Sequence, residues 1–359
     1  WLTPPLLASP EEAQAWLMQH IEDAKQFELP KGVYIEFEQF EPLRLTEEEQ
    51  ASQRERGADL TEENRRYRDR VHEANGERIR YRLWYESPDR WRMCRDNLMR
   101  SDGTAYHDAA SNADGAWLMS PGRLHLIGPE GTPRDNKSVS ASFFLRAIRM
   151  IVHQMATGVH PSPRIEYTPL QTAEGGDGTM ICVAEVSSKR IESMTFTLEP
   201  HGSGSDGYDI RRVRMNPKEP RDPAKPARGS MKTFDDWRWS DAFGARIAHA
   251  FTVYSHDIPY RIRTIVSIRP LQGPIDDLIH PPEAPAGTDP IRGEMSITDV
   301  MDHKANTASS YDSDSGALLG TSAIRASRGS GVDITPYAVA VLASAAVIVG
   351  CIVTKMRRA

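Results

Sequence analysis

RIRYRLWYESPDRWRMCR, residues 78–95, is the stretch that decides how the chain folds. Ile79, Tyr81, Leu83 and Tyr85 alternate with Arg78, Arg80, Arg82 and Trp84. A period of two puts one set on a buried face and the other on a wet, cationic face of a long strand. Ser87-Pro88-Asp89 has turn composition, and 90–95 returns as a second strand with Trp91 and Met93 inward. Short apolar runs at 104–106, 116–119 and 123–127 follow, broken by Asp102-Gly103, Asp114-Gly115 and Pro121-Gly122. Together they predict an antiparallel meander.

Helical spacing brackets this meander. Ser9-Pro10-Glu11-Glu12 offers a Ser N-cap, Pro at the first helical position and Glu three residues after the cap. Ala13, Trp16, Leu17, His20, Ile21, Ala24 and Phe27 then recur on one face, and 32–40 reads as a strand. A second helix starts at Ser138 or Ser140, carries Phe143, Phe144, Ala147, Ile148, Ile151, Val152 and Met155 along one side, and closes at Gly158. Residues 46–78 are crowded with Glu and Arg, and Leu60, Tyr67, Val71 and Ala74 form only a thin apolar seam. They predict a solvated helical insertion, with partner binding as the alternative use. Strands return at 179–186, 190–198, 208–215, 234–239, 251–254 and 260–269, interrupted by the basic, Pro-rich loop 216–231 with Lys218, Arg221, Lys225 and Arg228.

The C-terminal end reads differently. Residues 289–333 are rich in Gly, Ser, Ala and Asp with few large apolar groups, which predicts a disordered stalk. The run 336–353 carries no charge, and with its flanks 334–354 is long enough as a helix to cross the ~30 Å hydrocarbon layer. A buried core helix and a sorting signal cleaved later are the competing readings. Lys355, Arg357 and Arg358 fit a short cytoplasmic tail at 355–359, which places the bulk of the chain on the periplasmic or extracytoplasmic side. The opening at Trp1 fits a signal peptide already removed, and a tail-anchored cytoplasmic protein is the competing topology.

Formal net charge is −6, and about −9 once the three basic tail residues are set aside, which excludes a nucleic-acid partner held by phosphate contacts. Of three cysteines, Cys351 lies in the apolar run, so Cys94 and Cys182 are the one pair that could bridge, and two buried free thiols are the equal alternative. The chain has no Gly-rich phosphate loop, no GxSxG elbow and no HExxH helix. His107-Asp108 and Asp235-Asp236 are strand neighbours that point to opposite faces. His125, His153, His249 and His256 lack metal-ligand spacing, and Cys94 has no recognisable base partner. The expectation is a non-enzymatic protein with no metal and no cofactor.

Arg80 to Met93 (RYRLWYESPDRWRM) and Asn112 to Ile127 (NADGAWLMSPGRLHLI) resemble the strand pairs of the LolA-like family of periplasmic lipoprotein carriers and the related RseB-like sensory domains. The segments PYRI at 259–262 and PIDDLIHPPEAPAGT at 274–288 are similar to that family's closing strand and proline-glycine exit, so the resemblance spans about 9–288. It implies an α+β domain, an unclosed β-barrel of curved antiparallel sheet wrapped around helices, to which the C-terminal transmembrane helix is added. It also implies an apolar cavity for an acyl chain, lipid or lipoprotein of the cell envelope. Inward residues that could line such a cavity are Tyr81, Leu83, Tyr85, Trp91, Met93, Trp117, Leu124, Leu126, Met194, Phe196 and Leu198; an ordinary packed core uses the same residue types. The expected partners are thus the membrane and a lipid or lipoprotein. The alternative is a tethered interaction or sensor module in which the sheet or the inserted helices engage a protein and no ligand is carried.

Overall fold

The computed structural model describes residues 9–40, 78–98, 106–128, 141–159, 165–175, 178–188, 191–201, 207–218, 230–255 and 258–324. They divide into two compact units, Trp1–Leu43 with Ile148–Pro270, and Arg44–Ala147 with Leu271–Ala359.

The first unit opens on helix α1, Pro10–Lys25. Its start is fixed locally, because the Ser9 hydroxyl accepts from the Glu12 amide while the Glu12 carboxylate accepts from the Ser9 amide, a complete capping box. Ala13, Leu17, Ile21 and Ala24 are buried, one residue per turn at helical spacing. The helix lies over strands β7 (Tyr167–Glu174) and β8 (Met180–Val186). The remaining strands of this unit are β1 (Val33–Phe40), β9 (Ile191–Pro200), β10 (Tyr208–Pro217), β11 (Ser230–Ser240), β12 (Ala245–Ser255) and β13 (Ile258–Pro270). Every pairing is antiparallel, in the order β7-β8-β9-β10-β11-β12-β13-β1. Alternation is clean in β8, where Met180, Cys182, Ala184 and Val186 are buried and Ile181 and Glu185 are exposed. Helix α2, Ala141–Thr157, contributes Ile148, Val152 and Met155 to the core of this unit. It stops where the reading placed it: Gly158 has φ +66°, its amide donates to the Gln154 carbonyl, and a Cβ there would lie 2.8 Å from the Ile210 Cβ.

The second unit holds the meander. Strands β2 (Arg78–Ser87), β3 (Arg90–Asn97), β4 (Tyr106–Asn112), β5 (Gly115–Ser120) and β6 (Gly122–Ile127) pair consecutively and antiparallel. Then β15 (Gly293–Asp302) joins β6 in parallel, and β16 (Thr307–Tyr311) and β17 (Leu318–Ala323) extend the ladder. The four-residue helix α3, Asp276–Ile279, packs on β3 and β4, and the short β14 (Ala286–Asp289) pairs with β15. Ala110, Trp117, Met119, Leu124, Ile275, Ile279 and Ile297 form the apolar core around α3.

The α+β expectation, a sheet wrapped around helices with a transmembrane helix added, is corrected. Strands dominate, 17 of them against three helices among the described residues, and one of those helices has four residues. The strands that tip the balance were illegible: β7 is largely exposed and polar, and β15 to β17 fall in the stretch expected to be a disordered stalk. Composition argued against order there because few large side chains are available to bury. The backbone ladder with β6, together with Ile297 in the core of the unit, supplies the order instead.

The expected localisation is corrected with it. No helix among the described residues is long and apolar enough to cross a membrane, so single-pass anchoring is withdrawn. The span at 334–354, the basic tail, residues 325–333 of the stalk, the charged insertion up to residue 77 and most of the basic loop, residues 219–229, lie outside the described residues.

Candidate ligand-binding site

Antiparallel register lines up one face of the first unit's sheet residue by residue. Cys182 stands opposite Phe196, Phe196 opposite Val213, Val213 opposite Lys232, Lys232 opposite Val253, and Val253 opposite Arg261. A neighbouring row runs Phe234, Phe251, Arg263, Gln39 across β11, β12, β13 and β1. Directly opposed residues share a face, so three cations sit on the same surface as Phe196, Phe234 and Phe251. All three are buried, Lys232 at 4%, Arg261 at 5% and Arg263 at 7% exposure.

Lys232 is the unusual member. Its Nζ donates to Gln154 Oε1 of α2 at 2.9 Å and lies 6.0 Å from the centre of the Phe251 ring. The Arg263 guanidinium lies 5.4 Å from that ring centre and donates from Nε to Gln39 Oε1 at 2.8 Å. Burial pushes the Lys232 amine down to about 7, and the positive charge of Arg263 pushes in the same direction. Among the described residues, a neutral amide and a ring face are the partners of this ammonium, and no carboxylate is one of them. Three further donors in the unit, the hydroxyls of Tyr167 and Tyr208 and the indole Nε1 of Trp237, are buried without a hydrogen-bond partner among the described residues.

Two histidines tie the helices over this face. His20 Nε2 of α1 meets the Thr157 carbonyl at 2.7 Å, and His153 Nε2 of α2 meets the Ala24 carbonyl at 2.7 Å. Both carbonyls belong to last helical turns; that of Ala24 also accepts from the Gln26 and Phe27 amides. Each helix thus caps the other. Burial lowers the pKa of both rings, so the neutral imidazole is the form that makes these bonds. Trp16 stacks on His20 at 4.6 Å and tilts against Tyr208, and Gly207 leaves room for its indole, since a Cβ there would lie 2.9 Å from Nε1.

The predicted lining residues fall into two groups. Met194, Phe196 and Leu198 are buried on β9 of the first unit. Tyr81, Leu83, Tyr85, Trp91, Met93, Trp117 and Leu124 are buried in the second unit, where Leu126 is half-buried. Of these, Trp117, Leu124 and Leu126 pack in the core around α3, and the Trp117 Nε1 donates to the Ile279 carbonyl at 2.8 Å. Lys232, Arg261 and Arg263 were missed, although a Lys two residues before Phe234 on a strand must share its face.

The second unit holds its own buried charges. Arg92 donates to both carboxylate oxygens of Asp289, at 2.7 and 3.0 Å, and to Asp108 at 2.8 Å. Arg292 bonds Asp108 and Asp96, and Arg82 donates to Asp96 at 2.8 Å. Burial alone would raise the Asp289 carboxyl, but its bonds from Arg92 and from the amides of Arg292 and Ile291 hold it below the usual carboxylate range. Acids and bases alternate here, which marks a clamp fastening the β14–β15 segment to β3 and β4. Removing one partner from such a network costs about 3–5 kcal/mol.

Cys94 and Cys182 are free thiols, both buried. Burial, then the Asp108 charge, pushes Cys94 up to about 12, which leaves it protonated and unreactive at neutral pH. His125 stacks on His303 with Nδ1 3.3 Å from Nε2, and burial pushes His125 down to about 4. Among the described residues no group of three or more His, Cys, Asp or Glu side chains could hold a metal ion.

No protein-family model matches the chain, and no curated protein matches it. Solved structures similar to it include a crystal structure described as an outer membrane lipoprotein-sorting protein domain from Vibrio parahaemolyticus, at 10% identity over 76% of this chain and 97% of that one, with a TM-score of 0.37. Another is a LolA superfamily protein from Nitrosomonas europaea, at 7% identity over 74% of this chain and 97% of that one, again with a TM-score of 0.37. The family resembled by residues 80–93 and 112–127 is thus met again among solved structures. At these identities and scores, function for this chain rests on its own residues.

Proposed function

We propose that the first unit is a non-enzymatic binding module that takes the acyl chain of a lipid or lipoprotein between its two helices and the apolar face of its sheet. The observation that carries this reading is the buried Lys232 ammonium, set among Phe196, Val213, Phe234, Phe251 and Val253 with no carboxylate partner. A face that serves packing alone is more stable with a methionine at such a position, because burying an uncompensated charge costs several kcal/mol, on the order of the desolvation of a buried ion. The unpartnered donors of Tyr167, Tyr208 and Trp237 add to the polar capacity that this unit's own side chains leave unused.

The face itself suits a chain of methylenes. Met155, Met180 and Met194 are buried with the aromatic residues, and methionine adapts its shape to an irregular apolar occupant. The reading is tested by titrating the purified full-length chain with a fluorescent fatty-acid analogue and displacing it with palmitate. Saturable binding near one analogue per chain, reversed by palmitate, is expected. An emission spectrum unchanged by the protein would mean that the interior is a packed core and nothing more.

A further inference from the structure

We propose that Lys232 is the head-group contact of this site, and that the ligand is an amphiphile with a carboxylate at one end of a long alkyl chain. The proposal rests on the acyl-binding reading above and specifies the chemistry of the ligand's polar end. An ammonium has three N–H donors, and Gln154 Oε1 takes one of them at 2.9 Å. The other two have no acceptor among the described residues. Facing Lys232 are Gln154 and His153 from α2, Val213 from β10, Phe251 and Val253 from β12 and Arg263 from β13, with Gln39 of β1 beyond Arg263.

None of these groups is an anion. Arg261 and Arg263 are buried on the same face. A carboxylate has two oxygens for the two free N–H donors and one negative charge for one ammonium. The apolar row that leads away from Lys232 through Val213 and Phe196 to Cys182 gives an attached alkyl chain a path along the sheet. A neutral head such as an alcohol or methyl ester can accept a hydrogen bond there but leaves the charge uncompensated.

The test compares palmitate, hexadecanol and methyl palmitate as displacers of the fluorescent fatty-acid analogue from the full-length chain at neutral pH, for the wild type and for Lys232→Met. Palmitate is expected to bind the wild type about tenfold or more tighter than hexadecanol, the size of a charge-assisted hydrogen bond gained. In Lys232→Met, which keeps the length and apolar stem of the side chain, that ratio should fall to about one. Equal affinities of the three displacers for the wild type would overturn the head-group assignment while leaving acyl binding intact. A tenfold preference that survives in Lys232→Met would overturn it as well. If no displacer binds the wild type, the acyl-binding reading fails and this inference with it. The wild-type comparison alone is decisive should the variant not fold.

Discussion

At the scale of single residues, Lys232 has a consequence for stability that needs no ligand. Its amine is at about 7 in the folded chain and 10.5 ordinarily. Between those values the unfolded chain holds the proton and the folded chain does not, so the contribution of this group to stability rises with pH across that window. The full penalty is present below about pH 7. Lys232→Met removes the titration, so the stability difference between variant and wild type should shift by about 1.4 kcal/mol per pH unit between pH 7 and 9, in favour of the wild type as pH rises. Denaturant melts at several pH values read this directly, and a difference constant with pH would show that the amine is not buried. The sequence left this residue invisible because a basic, Pro-rich stretch immediately precedes it. That composition assigned 216–231 to an exposed loop and began the strand at Phe234, four residues after its start at Ser230.

Elements were legible where their signals are local. The helix α1 was readable because its cap, its first-turn proline and its apolar period lie within a few residues of each other, and β2 with β3 because alternation and a turn composition coincide. The strands β15 to β17 were not, since β15 is ordered by pairing with β6, 175 residues earlier by the Ile297 to Gly122 register, and β16 and β17 by adding to β15 in turn. The reciprocal capping of α1 and α2 was hidden for the same reason: His20 and Thr157 are far apart in the chain, and His153 was read as a scattered histidine. His20→Ala should destabilise the chain by about 1–3 kcal/mol, because the carbonyl of the buried Thr157 loses its imidazole donor. Thermal or urea melting measures that loss, and a change below about 0.5 kcal/mol would mean water replaces the ring.

Taken as a whole molecule, the chain is two sheet units that both hold matched ion pairs, Arg246 with Asp209 in the first, and that differ in one buried ammonium. In the second unit Arg82, Arg92 and Arg292 are matched by Asp96, Asp108 and Asp289, with the Nε atoms of Arg82 and Arg92 buried and left without a hydrogen bond among the described residues. In the first unit Lys232 is met by a neutral amide. Matched charges fasten elements together; an unmatched one is a cost that packing does not explain, and it locates the candidate site in the first unit. The sequence reading gathered aromatic and aliphatic residues from both units into one cavity list, because inward-facing positions on any strand look alike without knowledge of which sheet they line. Of that list, Met194, Phe196 and Leu198 belong to the unit that carries the unmatched charge.

The most direct test of acyl binding in the first unit is photolabelling of the intact chain with a fatty acid bearing a photoreactive group on its alkyl chain, followed by peptide mapping. The account predicts adducts on peptides from β9 to β12 and from α2, suppressed by excess palmitate. Palmitate-sensitive adducts confined to peptides of β2 to β6, or no palmitate-sensitive adducts at all, would contradict it.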